Sequence, residues 1–286
     1  MLLSTLVFGV VLGGTYALVA LGLTIQYGVA RIMNLSFGEV VMFGAFATFV
    51  LFTGASLSPV LGLFVVVPLA FAISWILYTV LMRPLVKRAR HPERVEIDSI
   101  LVTFGLLFLF QGLFTQAFGS GYTGYGWLQA PVEILGARVA SGRVLGLGLA
   151  CLIGLGLWAA TTRTRWGLTM RAVATRPAFA ALVGIDENRV ARQAFALGGA
   201  IAGAGGAILS MYQPVTPIDG GFLTMKALVI VIMGGIGNMG GALAAGLIIG
   251  IVEALVSYAV DPGLTLAATY AIFLAVLLWR PKGLFA

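Results

Sequence analysis

Charge is what this sequence has least of. Asp, Glu, Lys and Arg together make up 9% of its 286 residues, against about 25% in a soluble domain. So little charge cannot cover a water-exposed surface. There is one cysteine, Cys151, and one histidine, His91, which excludes disulfides within the chain and leaves almost nothing for metal or nucleophilic chemistry. No GxxxxGK[ST] phosphate loop, HExxH pair or GxSxG elbow occurs, so the chain does not itself bind ATP in the phosphate-loop manner. We expect no catalytic residue, no metal and no cofactor held by this chain.

What is present is apolar: 60% hydrophobic residues, with a mean hydropathy of +1.06. A helical span needs about 20 apolar residues. That measure predicts an all-α polytopic membrane protein of eight or nine spans, near 5–28, 36–53, 60–82, 98–118, 144–161, 193–212, 222–235, 241–257 and 263–280. The seventh candidate is short and broken by glycine. The apolar start reads as a retained first span, and residues 1–286 as one membrane domain.

The positive charges then set an orientation. Five lie in 83–98, six in 163–192, and Arg31, Arg280 and Lys282 complete fourteen of the 17. Nine spans put all of these on one side, which the positive-inside bias makes the cytoplasm. This grouping in loops also argues against a nucleic-acid partner. The N-terminus is then outside and the C-terminus inside, with Arg138, Arg143 and Lys226 on the outer side and His91 solvated in a cytoplasmic loop.

Glycine is abundant, 39 residues, and falls in stripes. Ala242, Gly246, Gly250 and Ala254 recur every fourth position, as do Gly146, Ala150 and Gly154, and GGAIAGAGGA fills 198–207. Small residues so spaced let helices approach closely. Polar residues interrupt the apolar runs at two places, YGVARIMNLSFGEV (27–40) and MGGIGNMGGA (233–242). These read either as parts of a translocation path or as tight turns. Path candidates are Gln26, Asn34, Ser36, Glu39, Asn238 and Glu253, with a structural hydrogen bond an equal reading for Glu253. Gln111 is a further buried polar residue on which a self-contained carrier would have to draw.

The stretch 161–192 carries six arginines between apolar runs and contains a short helix with readable ends. Pro177 suits its first turn, with Thr175 close enough to cap. Phe179, Leu182 and Val183 make one narrow apolar face. Gly184 suits the left-handed position after the helix, with Ile185 folding back, and Asp186 offers an N-cap to the next helix with Glu187 behind it. Such an element suits a groove on a cytoplasmic partner. A permease driven by separate ATPases needs one; a carrier or channel does not. The external stretch 119–143, with Tyr122, Tyr125 and Trp127, is either a docking surface or an aromatic belt.

These segments carry a resemblance. Residues 13–46, 171–206 and 226–255, with the ending RPKGLF (280–285), resemble the smaller permease subunit of branched-chain amino-acid ABC importers over nearly the whole chain. The departure is MNLSFGE (33–39), where that family more often has INFAHGE or LNLAHGE, so no imidazole stands there. The resemblance implies a bacterial inner-membrane complex, or an archaeal plasma-membrane one. Its partners would be a second, related permease, two cytoplasmic ATPases holding ATP and Mg, an external (periplasmic) substrate-binding protein and the lipid bilayer. It implies coupling to the ATPase through 176–185, namely Arg176, Pro177, Phe179, Ala180, Ala181, Leu182, Gly184 and Ile185, with Ala180, Ala181 and Gly184 as contacts. The solute would be a branched-chain or other amino acid, with urea, short amides or small carboxylates as alternatives.

Overall fold

In a bilayer every backbone amide must be satisfied within the protein, so apolar runs of this length become helices. The computed structural model describes residues 2–88, 92–134 and 137–285; the side chains of Leu2, Pro92, Glu93, Ile134, Ala137, Arg138, Ala178 and Ala181, and all of His91, lie outside the described residues. The chain runs α1 (Leu2–Ala30), α2 (Phe37–Ala55), α3 (Pro59–Leu77), a π-helical turn (Tyr78–Met82), α4 (Arg83–Arg88) and α5 (Pro92–Phe118). A hairpin, β1 (Pro131–Ile134) and β2 (Ala137–Ala140), leads into α6 (Ser141–Arg163), α7 (Arg165–Thr175) and α8 (Pro177–Leu182). Then come α9 (Glu187–Ser210), α10 (Asp219–Gly234), α11 (Met239–Ala259) and α12 (Thr265–Trp279).

Among the described residues eight helical stretches are long and apolar enough to cross a membrane. The ninth expected span is α10, 16 residues long. At 1.5 Å per residue it covers about 24 Å, short of the ~30 Å hydrocarbon core. It is continuous rather than broken: its glycines, Gly220, Gly221 and Gly234, sit at its ends.

Helix ends meet in two sets, as alternation requires. On the arginine-rich face, the Tyr27 hydroxyl donates to Glu96 Oε1 (3.3 Å) and Thr161 lies 3.5 Å from Met239 Sδ. The C-terminal tail closes on the same face, with Leu284 N–H bonded to Met233 O (2.8 Å). On the opposite face, Thr123 and Val215 form a two-bond bridge and Tyr125 shares a hydrogen bond with Ser210 (3.0 Å). Tyr125 also stacks on Phe52, with centroids 4.7 Å apart. Burial pushes its phenol up to about 12, so the loop between α5 and β1 is pinned to the helices by a neutral tyrosine. Of the three loop aromatics only Tyr122 stands fully clear, at 81% exposure.

The small-residue stripes make the core. α9 is the most enclosed span, with 89% of its apolar window buried. Its Gly198 meets Gly22 of α1, Gly199 meets Ser74 of α3, and Gly203 and Gly206 meet Gly44 and Val41 of α2. A β-carbon at Gly206 would run into the Val41 carbonyl. α11 places Gly246 and Gly250 directly on Ala17 and Gly13 of α1, and Gly146, Ala150 and Gly154 are all buried on α6.

Two helices begin inside the membrane rather than at its face. Thr103, near the middle of α5, donates to Ser99 O (2.7 Å) in its own helix, accepts from Leu35 N–H (3.0 Å) and lies 3.3 Å from Met33 O. The α1–α2 connection therefore dips back to mid-height before α2 starts. α10 starts at a similar height: a β-carbon on Gly221 would touch Leu107 of α5 at 4.0 Å. The two starts meet, Gly38 N–H donating to Thr224 Oγ1 at 2.7 Å. The second polar interruption, 233–242, is of another kind. Gly235 and Gly237 take positive φ (98° and 81°) and Asn238 caps α11 through Gly241 N–H (3.1 Å), a tight turn at the arginine-rich face.

Lys226, counted from the sequence with the outer-side charges, lies within α10 with 14% of its side chain exposed.

Candidate functional site: a surface helix and two polar centres in the membrane

On the arginine-rich face, α7 and α8 project between α6 and α9. Thr164 caps α7 by accepting from Gly167 N–H (3.1 Å), and Arg176 ends it in a non-helical conformation that lets Pro177 start α8. Thr175 does not cap α8. Its hydroxyl donates backward to Arg171 O (2.8 Å), as an interior helical threonine does. After α8, Gly184 adopts φ +79° and Ile185 N–H returns to Ala180 O (3.1 Å), the Schellman pattern its sequence foretold. Ile185 then packs on the core, and Asp186 caps α9 through Arg189 N–H (3.1 Å).

The outcome is an apolar face without a cover. Phe179, Leu182 and Val183 are 60%, 81% and 73% exposed, and the Arg176 guanidinium lies 5.5 Å over the Phe179 ring. Ala180 points the other way, 3% exposed and packed in the chain's own core. The Ala181 side chain lies outside the described residues.

The first membrane-interior centre is the junction of α2 and α10. Asn34 Oδ1 accepts from both the amide (3.1 Å) and the hydroxyl (2.8 Å) of Ser36, which shapes the turn into α2. Glu39, one turn on, is 1% exposed and lies against Gly220, where a β-carbon would collide with its carboxylate. Neither of its oxygens meets a hydrogen-bond donor among the described residues. Its carboxylate sits beside the first turns of two helices, whose dipoles favour negative charge. Gln26 is equally buried, with Oε1 also lacking a partner. An unbonded acid at this depth is costly, and such residues mark transport paths by default.

The second centre surrounds Glu253 of α11. Lys226 Nζ lies 2.8 Å from Oε1 and 3.0 Å from Oε2. The Tyr16 hydroxyl of α1 accepts from Lys226 (2.9 Å) and donates to Oε2 (3.0 Å), and Thr269 of α12 donates to Oε1 (3.0 Å). Four helices thus contribute to one ion pair. Sequence reasoning had Glu253 but not its partners. A lysine in the apolar run FLTMKALVIVI, which requires an opposite charge in a membrane, was the available signal. Asn238 belongs to neither centre; besides its cap, it donates to Phe285 O (2.7 Å).

Eight spanning helices, a short ninth and charged groups kept in the interior define a polytopic membrane protein of the transporter class. The chain belongs to the family described as branched-chain amino acid transport system / permease component, whose model matches residues 5–279. It is similar to the high-affinity branched-chain amino acid transport system permease protein LivH of Salmonella typhimurium, 29% identical over 96% of this chain and 92% of the relative. To the corresponding protein BraD of Pseudomonas aeruginosa it is 27% identical over 99% and 95%. It is also similar to the autoinducer 2 import system permease protein LsrC of Enterobacter, 30% identical over 51% and 43%. Among solved structures it is similar to PsaBC from Streptococcus pneumoniae in complex with Fab, with a TM-score of 0.47 and 14% identity over 98% and 91% of the two chains.

Proposed function

We propose that this chain is the permease subunit of an ATP-driven, binding-protein-dependent importer that carries a branched-chain or other small amino acid across a bacterial inner membrane. The observation that carries the reading is α8. An apolar face of Phe179, Leu182 and Val183 stands exposed among arginines on one side of the membrane domain, a surface with no use in a self-contained carrier. In this reading the arginine-rich face is cytoplasmic, the N-terminus external, and α8 seats in a groove on one of two ATPase subunits that hold ATP and Mg. A second, related permease completes the membrane path, and an external binding protein delivers the solute near the hairpin side. ATP binding closes the ATPases, draws the two coupling helices together and opens the path outward; hydrolysis returns it inward.

A second reading of the solute, a small molecule that is not an amino acid, is favoured by Phe37. It fills the position where relatives of this type more often carry histidine, and it is fully buried against Gly22.

The test is reconstitution of this chain with its two ATPases, second permease and binding protein in vesicles. Uptake of labelled leucine should require both ATP on the ATPase side and the binding protein. Uptake driven by an ion gradient without ATP would refute the importer reading.

A further inference from the structure

A cavity of about 80 Å³ opens beside Lys226 on the hairpin side of the membrane domain. Its polar lining is Tyr16, Gln213, Asp219 and Lys226; Leu209, Val215, Phe222 and Leu223 supply the apolar wall. Gln213 also lines a larger cavity of about 470 Å³ at the surface, beside Tyr125, Arg143 and Tyr212. The two spaces therefore adjoin at Gln213.

Its lining holds one group of each sign, Asp219 and Lys226, with the lysine already shared with Glu253. Asp219 and Lys226 are seven residues apart on α10, so they share one face, about 10 Å apart along the axis. That spacing places the two side chains about two helical turns apart along the wall of the cavity. Asp219 Oδ2 accepts from Thr216 N–H (2.7 Å), which fixes the side chain in the turn before α10. Lys226 is held by Glu253 and Tyr16, so its ammonium is positioned before any solute arrives. A water needs about 10–15 Å³ of such space, so the cavity holds roughly five to eight waters. That suits an amino-acid head group with a short aliphatic side chain, and it excludes an indole.

We propose that this cavity is a solute subsite on the entry side of the path. Lys226 receives the carboxylate of a zwitterion, Asp219 its ammonium, and Leu209, Val215 and Leu223 its aliphatic side chain. The subsite rests on the importer reading and names the solute class for it.

The test uses the complete importer in vesicles with labelled valine. Removing a charged partner of the solute weakens uptake about tenfold or more, so Lys226→Met and Asp219→Asn should each raise the valine KM by that factor. The deciding variant is the double substitution Lys226→Met with Glu253→Gln, which removes both charges of the pair and leaves none unpaired. It should assemble with its partner subunits and still show the raised KM; wild-type uptake in the double variant would overturn the subsite and leave the pair a packing device. Leu209→Trp should slow uptake of leucine more than of alanine, and equal effects would overturn the aliphatic wall. A valine KM unchanged by Asp219→Asn would overturn the zwitterion. Failure of the wild-type complex to take up any amino acid under ATP would instead remove the amino-acid reading of the importer's solute, and with it the subsite.

Discussion

Removing the Lys226 ammonium alone should destabilise the protein far more than removing both charges of its pair. In Lys226→Met the Glu253 carboxylate, 5% exposed, keeps only the Tyr16 and Thr269 hydroxyl donors, each at 3.0 Å. Breaking a buried ion pair from one side costs about 3–5 kcal/mol. Two remaining hydroxyl donors place this case at the low end, about 3 kcal/mol. In Glu253→Gln the cation keeps the Tyr16 oxygen at 2.9 Å and the Tyr16 ring at 4.7 Å. Aromatic faces stabilise a desolvated cation by up to about 2 kcal/mol, so the single loss should be smaller, about 2 kcal/mol. The double variant buries no charge and should fall within about 1 kcal/mol of wild type. Equilibrium unfolding in mixed micelles, run as a double-mutant cycle, measures this directly. A coupling of about 4–5 kcal/mol, unchanged between low and high salt because the pair is shielded from solvent, is the expected outcome. Additive single effects, or a coupling that vanishes in salt, would refute the account of a buried, four-helix ion pair.

Other expectations follow from the same geometry. Leu182→Asp, which puts charge on the most exposed residue of the α8 face, should cut ATPase co-purification by about two orders of magnitude, as loss of a 2–3 kcal/mol contact would. Membrane insertion should be retained; undiminished co-purification would remove α8 as the coupling surface. Gly206→Leu, at the α9–α2 contact, should cost at least the about 1–3 kcal/mol of an overpacked core. Thermal denaturation in detergent checks it, and a stable variant would contradict the close approach to Val41. With Cys151 replaced by Ala, a cysteine at Tyr122 should react with an impermeant thiol reagent from outside and one at Leu182 only from inside. The reverse pattern would invert the orientation.

The spans were readable because hydrocarbon accepts only long apolar helices, and the stripes at 198–207 and 242–254 were readable because only small residues permit such contacts. The ends of α8 were equally plain, with Pro177 opening it and Gly184 closing it. Three features were not readable. Residues 27–40 and 233–242 look alike in composition, yet one re-enters the membrane and the other is a surface turn. The difference lies in Thr103 of a distant helix, which receives the backbone of residues 33–35. Lys226 was counted with the outer charges because a sequence shows a charge near a span end but not the acid that faces it. The burial of Ala180 was not readable either, because small residues serve grooves and cores alike and only its orientation on α8 sets its exposure.

The seam between α1 and α11 bears on how the protein is made. Gly13 in the first helix has Gly250 as its partner, so some two hundred residues must be synthesised before that seam can close. During that interval α1 waits in lipid with its small-residue stripe uncovered, at no hydrophobic cost because the stripe is itself apolar. Contacts this distant in sequence are reached late and slowly. A chain stopped anywhere before α11 would leave the first helix without its mate, however well the intervening spans had inserted. Quality control that senses unpaired helices would see the error at the N-terminus, although the missing piece lies at the other end.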